Sequence, residues 1–255
     1  MNHPPELALR IVSLYSDVMN VYADRGNLIA IRNRAAERGI AIEVFEVSLG
    51  DQLPPDADLV LIGGGQDREQ HRIADELAAH GPQLREWVEA DAAVLAVCGG
   101  FQLFGRWYRD QHGEIIAGVE IFDITSVAPG PKAPRGVGDV VARSMVGSIG
   151  EVVGFENHAG RTYLGPTATP FASVEHGFGN NGADGTEGAV YRNAIGTYLH
   201  GSVLPKNPAL LDHLLATALS HRRGEVVVLE PLPAPYADRA HTSAVTVARR
   251  RSPAR

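Results

Sequence analysis

The stretch A92-A-V-L-A-V-C-G-G-F-Q-L-F-G105 decides the fold class of this chain. Its first six residues are all apolar and have the length of a strand, which is typical of a central parallel strand covered on both faces. Cys98 follows as the only cysteine of the chain, then Gly99 and Gly100. We predict a tight turn at these residues and a helix over 101–109, so the stretch indicates a strand–turn–helix unit of an α/β protein.

The sequence upstream repeats this alternation of strand and helix. We predict strands over 9–15, 42–47 and 58–63, and a helix over 28–38 that Gly39 ends. Two further helices are predicted over 68–79 and 83–89, with Pro82 in the first turn of the second. This order implies a parallel sheet with right-handed crossovers. Ligands of such sheets bind beyond the carboxyl ends of the strands, where Cys98 and the glycine clusters fall.

Downstream, from about residue 114 to 200, the pattern changes to shorter, Gly-rich β segments. We predict them over 115–122, 138–143, 151–155, 188–192 and 194–199, before a last amphipathic helix over 208–221. The change marks either a domain boundary or the antiparallel edge of one mixed sheet. The expected fold is α/β, with a mixed, mostly parallel central sheet flanked by helices. We expect residues 1–224 to form one domain and residues 225–255 a Pro-containing basic tail.

Composition and charge exclude several classes of protein. The 255 residues are 44% hydrophobic, enough for a substantial core, and the net charge of −7 argues against binding nucleic acid by neutralising phosphates. No apolar run approaches the roughly 20 residues of a membrane span, and the first residues do not resemble a secretory signal, so we expect a cytoplasmic protein. The tail is +2, with five Arg and three acidic residues. It is either a frayed terminus or a segment that docks on a partner.

Cys98 has the sequence context of a nucleophile. A reactive residue between a strand and a helix is held in a strained conformation, and the adjacent glycines avoid a clash there. The positive end of the following helix favours a thiolate. For an oxyanion hole, the amide of Gly99 is the natural donor, and the turn after the third strand offers Gly64 or Gly65. The alternative is a buried structural cysteine.

Among ten histidines, His200 is the best candidate for the base, because it ends the apolar run A194-I-G-T-Y-L199 and therefore also lies at a strand end. His158, in F155-E-N-H-A-G-R161, is the second candidate. No His/Cys cluster has metal-ligand spacing, so we predict no metal in this chain. The glycine turns lack the Lys-Ser/Thr of a phosphate-binding loop, which argues against nucleotide binding.

These motifs resemble a known family. The segment V97-C-G-G-F-Q-L103, with His200 about a hundred residues later, is similar to class I (triad-type) glutamine amidotransferases of the branch related to cobyric acid synthase. More narrowly, the chain resembles the GatD-type glutaminase subunits of lipid II isoglutaminyl synthases. Four stretches carry this likeness: L14-Y-S-D-V-M-N-V-Y-A-D-R-G-N27, I62-G-G-G-Q-D-R-E-Q70, G154-F-E-N-H-A-G-R161 and the run G-T-Y-L-H-G-S-V-L-P-K-N-P from Gly196 to Pro208.

The resemblance implies a division of labour between two subunits. This chain would hydrolyse L-glutamine to glutamate and ammonia through a Cys98 thioester, with His200 as general base and acid. Arg135 matches the family's glutamine-binding arginine, although a surface arginine is the alternative. A Mur-ligase-like partner of MurT type would use ATP and Mg to amidate the D-glutamate of lipid II, so the chain itself would hold no cofactor.

One departure concerns the residue that orients the histidine. Class I enzymes usually place a glutamate two residues after it, but here Ser202 stands at that position. The resemblance implies that the partner supplies the third member of the triad, which makes the isolated chain a poor glutaminase; Glu156 or Glu175 of this chain is the alternative. The motif around Asn157 and His158 is interpreted as supporting or interface residues. Two other functions stay open: an amidotransferase for another acceptor, such as a cobyrinate-like corrinoid, and a catalytically silent binding protein.

Overall fold

A computed structural model describes residues 8–21, 24–130 and 132–251. The strands are β1 (Leu9–Leu14), β2 (Ile42–Val47), β3 (Leu59–Ile62), β4 (Ala93–Val97), β5 (Trp107–Arg109), β6 (Ile115–Ala117), β7 (Ile124–Val127), β8 (Gly136–Ser144), β9 (Glu151–His158), β10 (Arg161–Leu164), β11 (Ala172–His176), β12 (Thr186–Glu187), β13 (Ala189–Tyr191) and β14 (Ala194–Thr197). The helices are α1 (Arg25–Glu37), α2 (Asp67–Glu89), α3 (Gly99–Leu103), α4 (Val203–Lys206), α5 (Pro208–Arg223) and α6 (Pro235–Arg250).

The central sheet has six strands in the order β13-β14-β4-β3-β1-β2. Strands β2, β1, β3, β4 and β14 run parallel, and β13 pairs antiparallel to β14 at one edge. All residues of β3, β4 and β14 are buried, as expected for strands that helices cover on both faces. The predicted mixed, mostly parallel sheet is confirmed, and its carboxyl edge brings together the ends of β1, β3, β4 and β14.

Helix α2 corrects the prediction of two helices. It runs without a break from Asp67 to Glu89 with Pro82 inside. Proline in a helix interior removes one hydrogen bond and usually ends or kinks the helix. Here apolar residues on both sides of Pro82 are buried on one face of the helix, among them Ile73, Leu77, Leu84 and Trp87. Burial of both halves in the core outweighs the lost hydrogen bond.

The prediction of a helix over 101–109 is also wrong, because the helix is much shorter. Helix α3 is a single short segment that ends at Leu103, and Trp107–Arg109 forms strand β5 instead. Strand β5 pairs with β6 and with β7. The amide of Gly105 still donates to the Gln102 carbonyl, and the next residue, Arg106, already donates across to Ile124. Long-range pairing therefore overrides the helical pattern of these residues.

The β segments after residue 114 are divided among three sheets, and β13 forms the antiparallel edge of the mixed central sheet, as one of the two alternatives expected. Two four-stranded sheets are present, β10-β7-β5-β6 and β12-β11-β8-β9, and the chain then returns to the central sheet through β13 and β14. Strand β9 also reaches the central sheet's edge, where the Phe155 and His200 backbones form an isolated antiparallel bridge.

Residues 235–250 of the tail form helix α6, which packs on β8 and β9 through Val245 and Ala248. These side chains contact Val141 and Val153. Residues 252–255, at the end of the predicted tail, lie outside the described residues. None of the helices within the described residues combines the length and apolar character that a membrane span requires.

Candidate active site

Cys98 lies at the carboxyl end of β4 in a strained conformation. Its φ of 50° and ψ of −103° are rare for a residue with a side chain. The backbone is fixed on both sides, because the Cys98 amide donates to the Thr197 carbonyl at 2.8 Å and the Gly100 amide to the Gly63 carbonyl at 3.1 Å. Such a turn between strand and helix presents the sulfur at the edge of the sheet.

The glycines around Cys98 permit a close approach of two loops. A Cβ on Gly99 would lie 2.7 Å from the Gly65 nitrogen and 2.8 Å from its oxygen. A Cβ on Gly64 would lie 2.7 Å from Cε1 of His200 and 3.4 Å from Cβ of Cys98. The loop after β3 therefore touches both the cysteine and the histidine, and only glycine fits at these contacts.

His200 is brought to this point by its backbone. Its amide donates to the Phe155 carbonyl at 2.7 Å, and its side chain is fully buried. Burial lowers the pKa of the imidazolium, but the charge of the nearby Cys98 sulfur and hydrogen bonds with Asp24 and Cys98 raise it more. The net effect raises the pKa of His200 to about 10, which favours the protonated imidazolium beside the Cys98 sulfur.

Asp24 is a site residue that the sequence analysis did not single out. Its Oδ2 lies 3.5 Å from Nδ1 of His200, and both side chains are almost completely buried. Asp24 stands in the loop between β1 and α1, so it too lies beyond the carboxyl end of a parallel strand. The available signal was weak: two acidic residues, Asp17 and Asp24, lie in this loop, within one of the stretches that carry the family resemblance.

The same carboxylate changes the expected oxyanion hole. The Gly64 amide donates to Oδ2 of Asp24 at 2.8 Å. The sequence analysis offered Gly64 or Gly65 as the second donor of the oxyanion hole. The Gly64 amide is directed at the Asp24 carboxylate and not at Cys98, so the prediction is wrong for Gly64. The amides of Gly65 and Gly99, which come together beside Cys98, are the remaining candidates.

A cavity of about 320 Å³ opens beside Cys98. It is lined by Val21, Gly65, Gln66, Asp67, Gln70, Cys98, Gln102, Tyr108, Gln111, Arg135, Asn157, His158, Ala159 and Gly160. Although Cys98 is only 9% exposed, its side chain borders this cavity and is not sealed in the core. Arg135 is an exposed residue of the wall, and Asn157 accepts a hydrogen bond from its Nε at 2.8 Å.

His158 lines the cavity but cannot act as the base in this arrangement. Its Nδ1 lies 2.7 Å from the Gly160 carbonyl oxygen, which only accepts hydrogen bonds, so this nitrogen donates. Its Nε2 lies 3.3 Å from Oε2 of Glu156, and its ring stacks on Tyr198 at 3.7 Å. The interpretation of His158 as a supporting residue agrees with these contacts.

Glu156 and Glu175, the two glutamates considered in the sequence analysis, form no hydrogen bond or ion pair with the His200 ring that would orient it. Glu156 accepts hydrogen bonds from the amides of Phe178 and Gly179. Glu175 pairs with Arg249 of helix α6 at the surface, 2.8 Å away. Among the described residues, Asp24 is the one whose carboxylate forms an ion-pair contact with the His200 ring, 3.5 Å from Nδ1.

Glu187 on β12 is a further buried carboxylate, and it binds the chain segment that leads to His200. Its Oε1 accepts hydrogen bonds from the Thr197 hydroxyl at 2.9 Å and from the Tyr198 amide at 2.6 Å. Complete burial raises the pKa of Glu187 to about 7, against the lowering effect of these two hydrogen bonds. It thus fixes the backbone that leads from β14 to His200.

One group of potential metal ligands occurs among the described residues. His71, Asp110 and Glu114 place ligand atoms within 4.8 Å of one another. Asp110 already accepts hydrogen bonds from the amides of His112 and Glu114 and pairs with His71. These contacts account for the cluster as a hydrogen-bonded turn, and the absence of a metal stays a prediction.

Known proteins share both the sequence pattern and the fold. Residues 10–208 match the model of the CobB/CobQ-like glutamine amidotransferase domain. The chain is 39% identical, over 84% of its length and 86% of the relative, to "Lipid II isoglutaminyl synthase (glutamine-hydrolyzing) subunit GatD" of Staphylococcus aureus (strain N315). It is 36% identical, over 89% of its length and 86% of the relative, to the protein of the same name from Streptococcus pneumoniae (strain ATCC BAA-255 / R6).

Among solved structures, the chain is similar to the glutaminase domain of Trypanosoma brucei CTPS with bound acivicin. The TM-score is 0.55 at 13% identity, over 90% of this chain and 99% of that domain, so this likeness shows the fold. The family match covers most of the chain and contains Cys98, His200, Asp24 and Arg135. This chain therefore belongs to the family of CobB/CobQ-like glutamine amidotransferase domains.

Proposed function

We propose that this chain is the glutaminase subunit of a lipid II isoglutaminyl synthase. The observation that carries the proposal is the strained Cys98, which borders a cavity and interacts with His200, while Asp24 lies behind the imidazole. This arrangement has the three roles of a nucleophile, a base and an orienting carboxylate.

The geometry supports acyl transfer in two steps. The Cys98 thiolate attacks the side-chain carbonyl carbon of glutamine, and the amides of Gly65 and Gly99 stabilise the oxyanion. The His200 imidazolium donates its proton to the leaving nitrogen, so ammonia departs and a glutamyl thioester remains. His200 then accepts a proton from the attacking water, and the thiolate leaves as glutamate forms.

Arg135 supports recognition of glutamine as the substrate. Its guanidinium stands on the wall of the cavity that Cys98 borders. A guanidinium binds a carboxylate through two parallel hydrogen bonds, so Arg135 suits the α-carboxylate of glutamine. The carboxamide would then extend towards Cys98.

The names of the curated relatives support the proposed acceptor and a partner subunit. Both curated relatives are named as subunits of a lipid II isoglutaminyl synthase, and the chain aligns with most of their length. We infer a Mur-ligase-like partner of MurT type that uses ATP and Mg to activate the D-glutamate carboxylate of lipid II and accepts ammonia from this chain. We infer that the two subunits form a heterodimer that acts in the cytoplasm, in peptidoglycan synthesis and the maintenance of cell shape. A corrinoid acceptor has weaker support, from the family description and from relatives named cobyric acid synthase that match 63% of this chain and 32% of their own length.

Reconstitution tests this function. We expect the chain to co-purify with its Mur-ligase-like partner and the complex to amidate lipid II with glutamine and ATP. Cys98→Ala should abolish the glutamine-dependent reaction, by about 10³-fold or more, because it removes the nucleophile. The same variant should still amidate lipid II when ammonium chloride replaces glutamine, since the synthetase subunit remains intact. Full glutamine-dependent activity of Cys98→Ala, or no amidation from either nitrogen source, would contradict the proposal.

A further inference from the structure

Strand β9 contacts both the general base, His200, and the arginine of the substrate cavity, Arg135. At Phe155 the strand forms its bridge to His200, with the carbonyl accepting the His200 amide at 2.7 Å. Two residues further, Asn157 contacts Arg135 through both its side chain and its backbone. Alternate residues along a strand share one side and are roughly 7 Å apart, so a single strand sets the spacing of both groups.

Asn157 occupies one particular edge of the guanidinium. Its Oδ1 accepts from Nε of Arg135 at 2.8 Å, and its backbone oxygen accepts from Nη2 at 3.1 Å. A guanidinium has five N–H donors in one plane. Asn157 thus binds the Nε–Nη2 edge of the guanidinium. A planar carboxylate can then bind the other edge, formed by Nη1 and Nη2.

The contact also restricts an otherwise loosely held side chain. Arg135 is exposed and lies directly before β8, whose Val137 pairs in register with Asn157. Holding an exposed arginine in a single rotamer costs side-chain entropy. Because the hydrogen bonds with Asn157 already restrict the side chain, less of this cost falls on substrate binding.

We propose that Asn157 is a positioning residue that selects substrates with an α-carboxylate by presenting the Nη1–Nη2 edge of Arg135 to the cavity. The inference rests on the proposed glutaminase function and adds a specificity determinant to it. Asn157 acts through Arg135, so its loss weakens the binding of glutamine and leaves the chemistry at Cys98 and His200 in place.

The test compares L-glutamine with 4-aminobutanamide, which lacks only the α-carboxylate, in the complete complex. We expect Asn157→Ala to raise KM for glutamine about 10-fold and to change kcat less than about twofold. The preference for glutamine over 4-aminobutanamide, as the ratio of kcat/KM values, should fall by the same factor. Asn157→Thr, which suits a strand, should give the same result if the alanine variant folds poorly. Asn193→Ala, in the turn between β13 and β14, serves as the matched control.

A double-mutant cycle separates this inference from the proposed function. Arg135→Ala should raise KM for glutamine more than Asn157→Ala does, and adding Asn157→Ala to it should have little further effect, because the two residues act as a unit. An unchanged KM in Asn157→Ala beside a raised KM in Arg135→Ala would overturn the role of Asn157 alone. Additive effects would also overturn it. An unchanged KM in Arg135→Ala would instead contradict the proposed mode of glutamine binding.

Discussion

The carboxyl edge of the central sheet and the β8–β9 hairpin contribute different parts of the site in different ways. At the sheet edge, His200 is fully buried, and Cys98 is held by its backbone on both sides. On the hairpin, Arg135 is exposed and is held by its side chain against Asn157. The groups assigned to bond making are thus fixed by the fold itself, whereas the group assigned to recognition depends on one local contact.

The two regions meet at a backbone bridge between Phe155 and His200. This bridge joins β9 to the edge of the central sheet, so the hairpin that carries Asn157 and the general base His200 cannot shift independently. A change at the sheet edge should affect kcat, and a change on the hairpin should affect KM. The following predictions test the contribution of each region.

The largest effect is expected for Asp24→Asn at the sheet edge. The substitution keeps the size of the side chain but removes the charge that faces Nδ1 of His200 and the Gly64 amide. Loss of the orienting carboxylate of a triad costs about 10²- to 10⁴-fold in kcat. We expect a fall in this range with KM for glutamine nearly unchanged, measured as glutamate release by the complex.

Asp51→Asn, an exposed aspartate that accepts a hydrogen bond from the Ser48 amide, is the control and should leave kcat unchanged. The same experiment decides where the third triad member comes from. If the partner subunit supplies it, as the family resemblance implies, the complex that contains Asp24→Asn retains its full turnover. Comparable turnover of the isolated wild-type chain and the complex would reject the separate prediction that the partner activates this subunit.

A smaller effect, on stability, is expected for Glu187→Gln. The folded-state pKa of about 7 lies above the ordinary value of 4.5, because of burial and the neighbouring Glu156, despite the opposing hydrogen bonds and His200. The folded state therefore binds the proton more tightly, and this stabilisation is complete below about pH 4.5 and is lost as the pH rises through 7. The wild type should lose about 3 kcal/mol relative to Glu187→Gln between pH 4.5 and 8.

Urea unfolding at several pH values measures this difference in the free energy of unfolding. Glu225→Gln, at an exposed position, should show no such dependence relative to the wild type. A difference between wild type and Glu187→Gln that stays constant over this pH range would contradict the burial-driven shift.

The smallest effect is expected on the far side of the hairpin, at helix α6. Val245 is 6% exposed and packs with Val141 and Val153. Val245→Ala removes two buried methyl groups and should destabilise the fold by about 1–2 kcal/mol, with kcat within about twofold of the wild type. Val247→Ala, on the same helix but 43% exposed, should cost less than half as much. A large fall in kcat for Val245→Ala would show that the helix affects the site and not only stability.

Local sequence patterns were enough to predict one part of this protein. The apolar run before Cys98 predicted a buried parallel strand, and the two glycines after it predicted a tight turn, because period and residue size suffice for both. His200 was found for the same reason, as it directly follows another apolar run. These signals gave the α/β class and two residues of the site.

Other features depend on contacts between residues far apart in the sequence and could not be predicted from it. Asp24 became a site residue because β1, β3, β4 and β14 end at one sheet edge, and the Gly64 amide was redirected by the same carboxylate. Helix α2 continued through Pro82 because both halves bury one apolar face, and Trp107–Arg109 became a strand because two neighbours pair with it. In each case the deciding free energy comes from long-range burial or hydrogen bonding, which a local pattern does not contain.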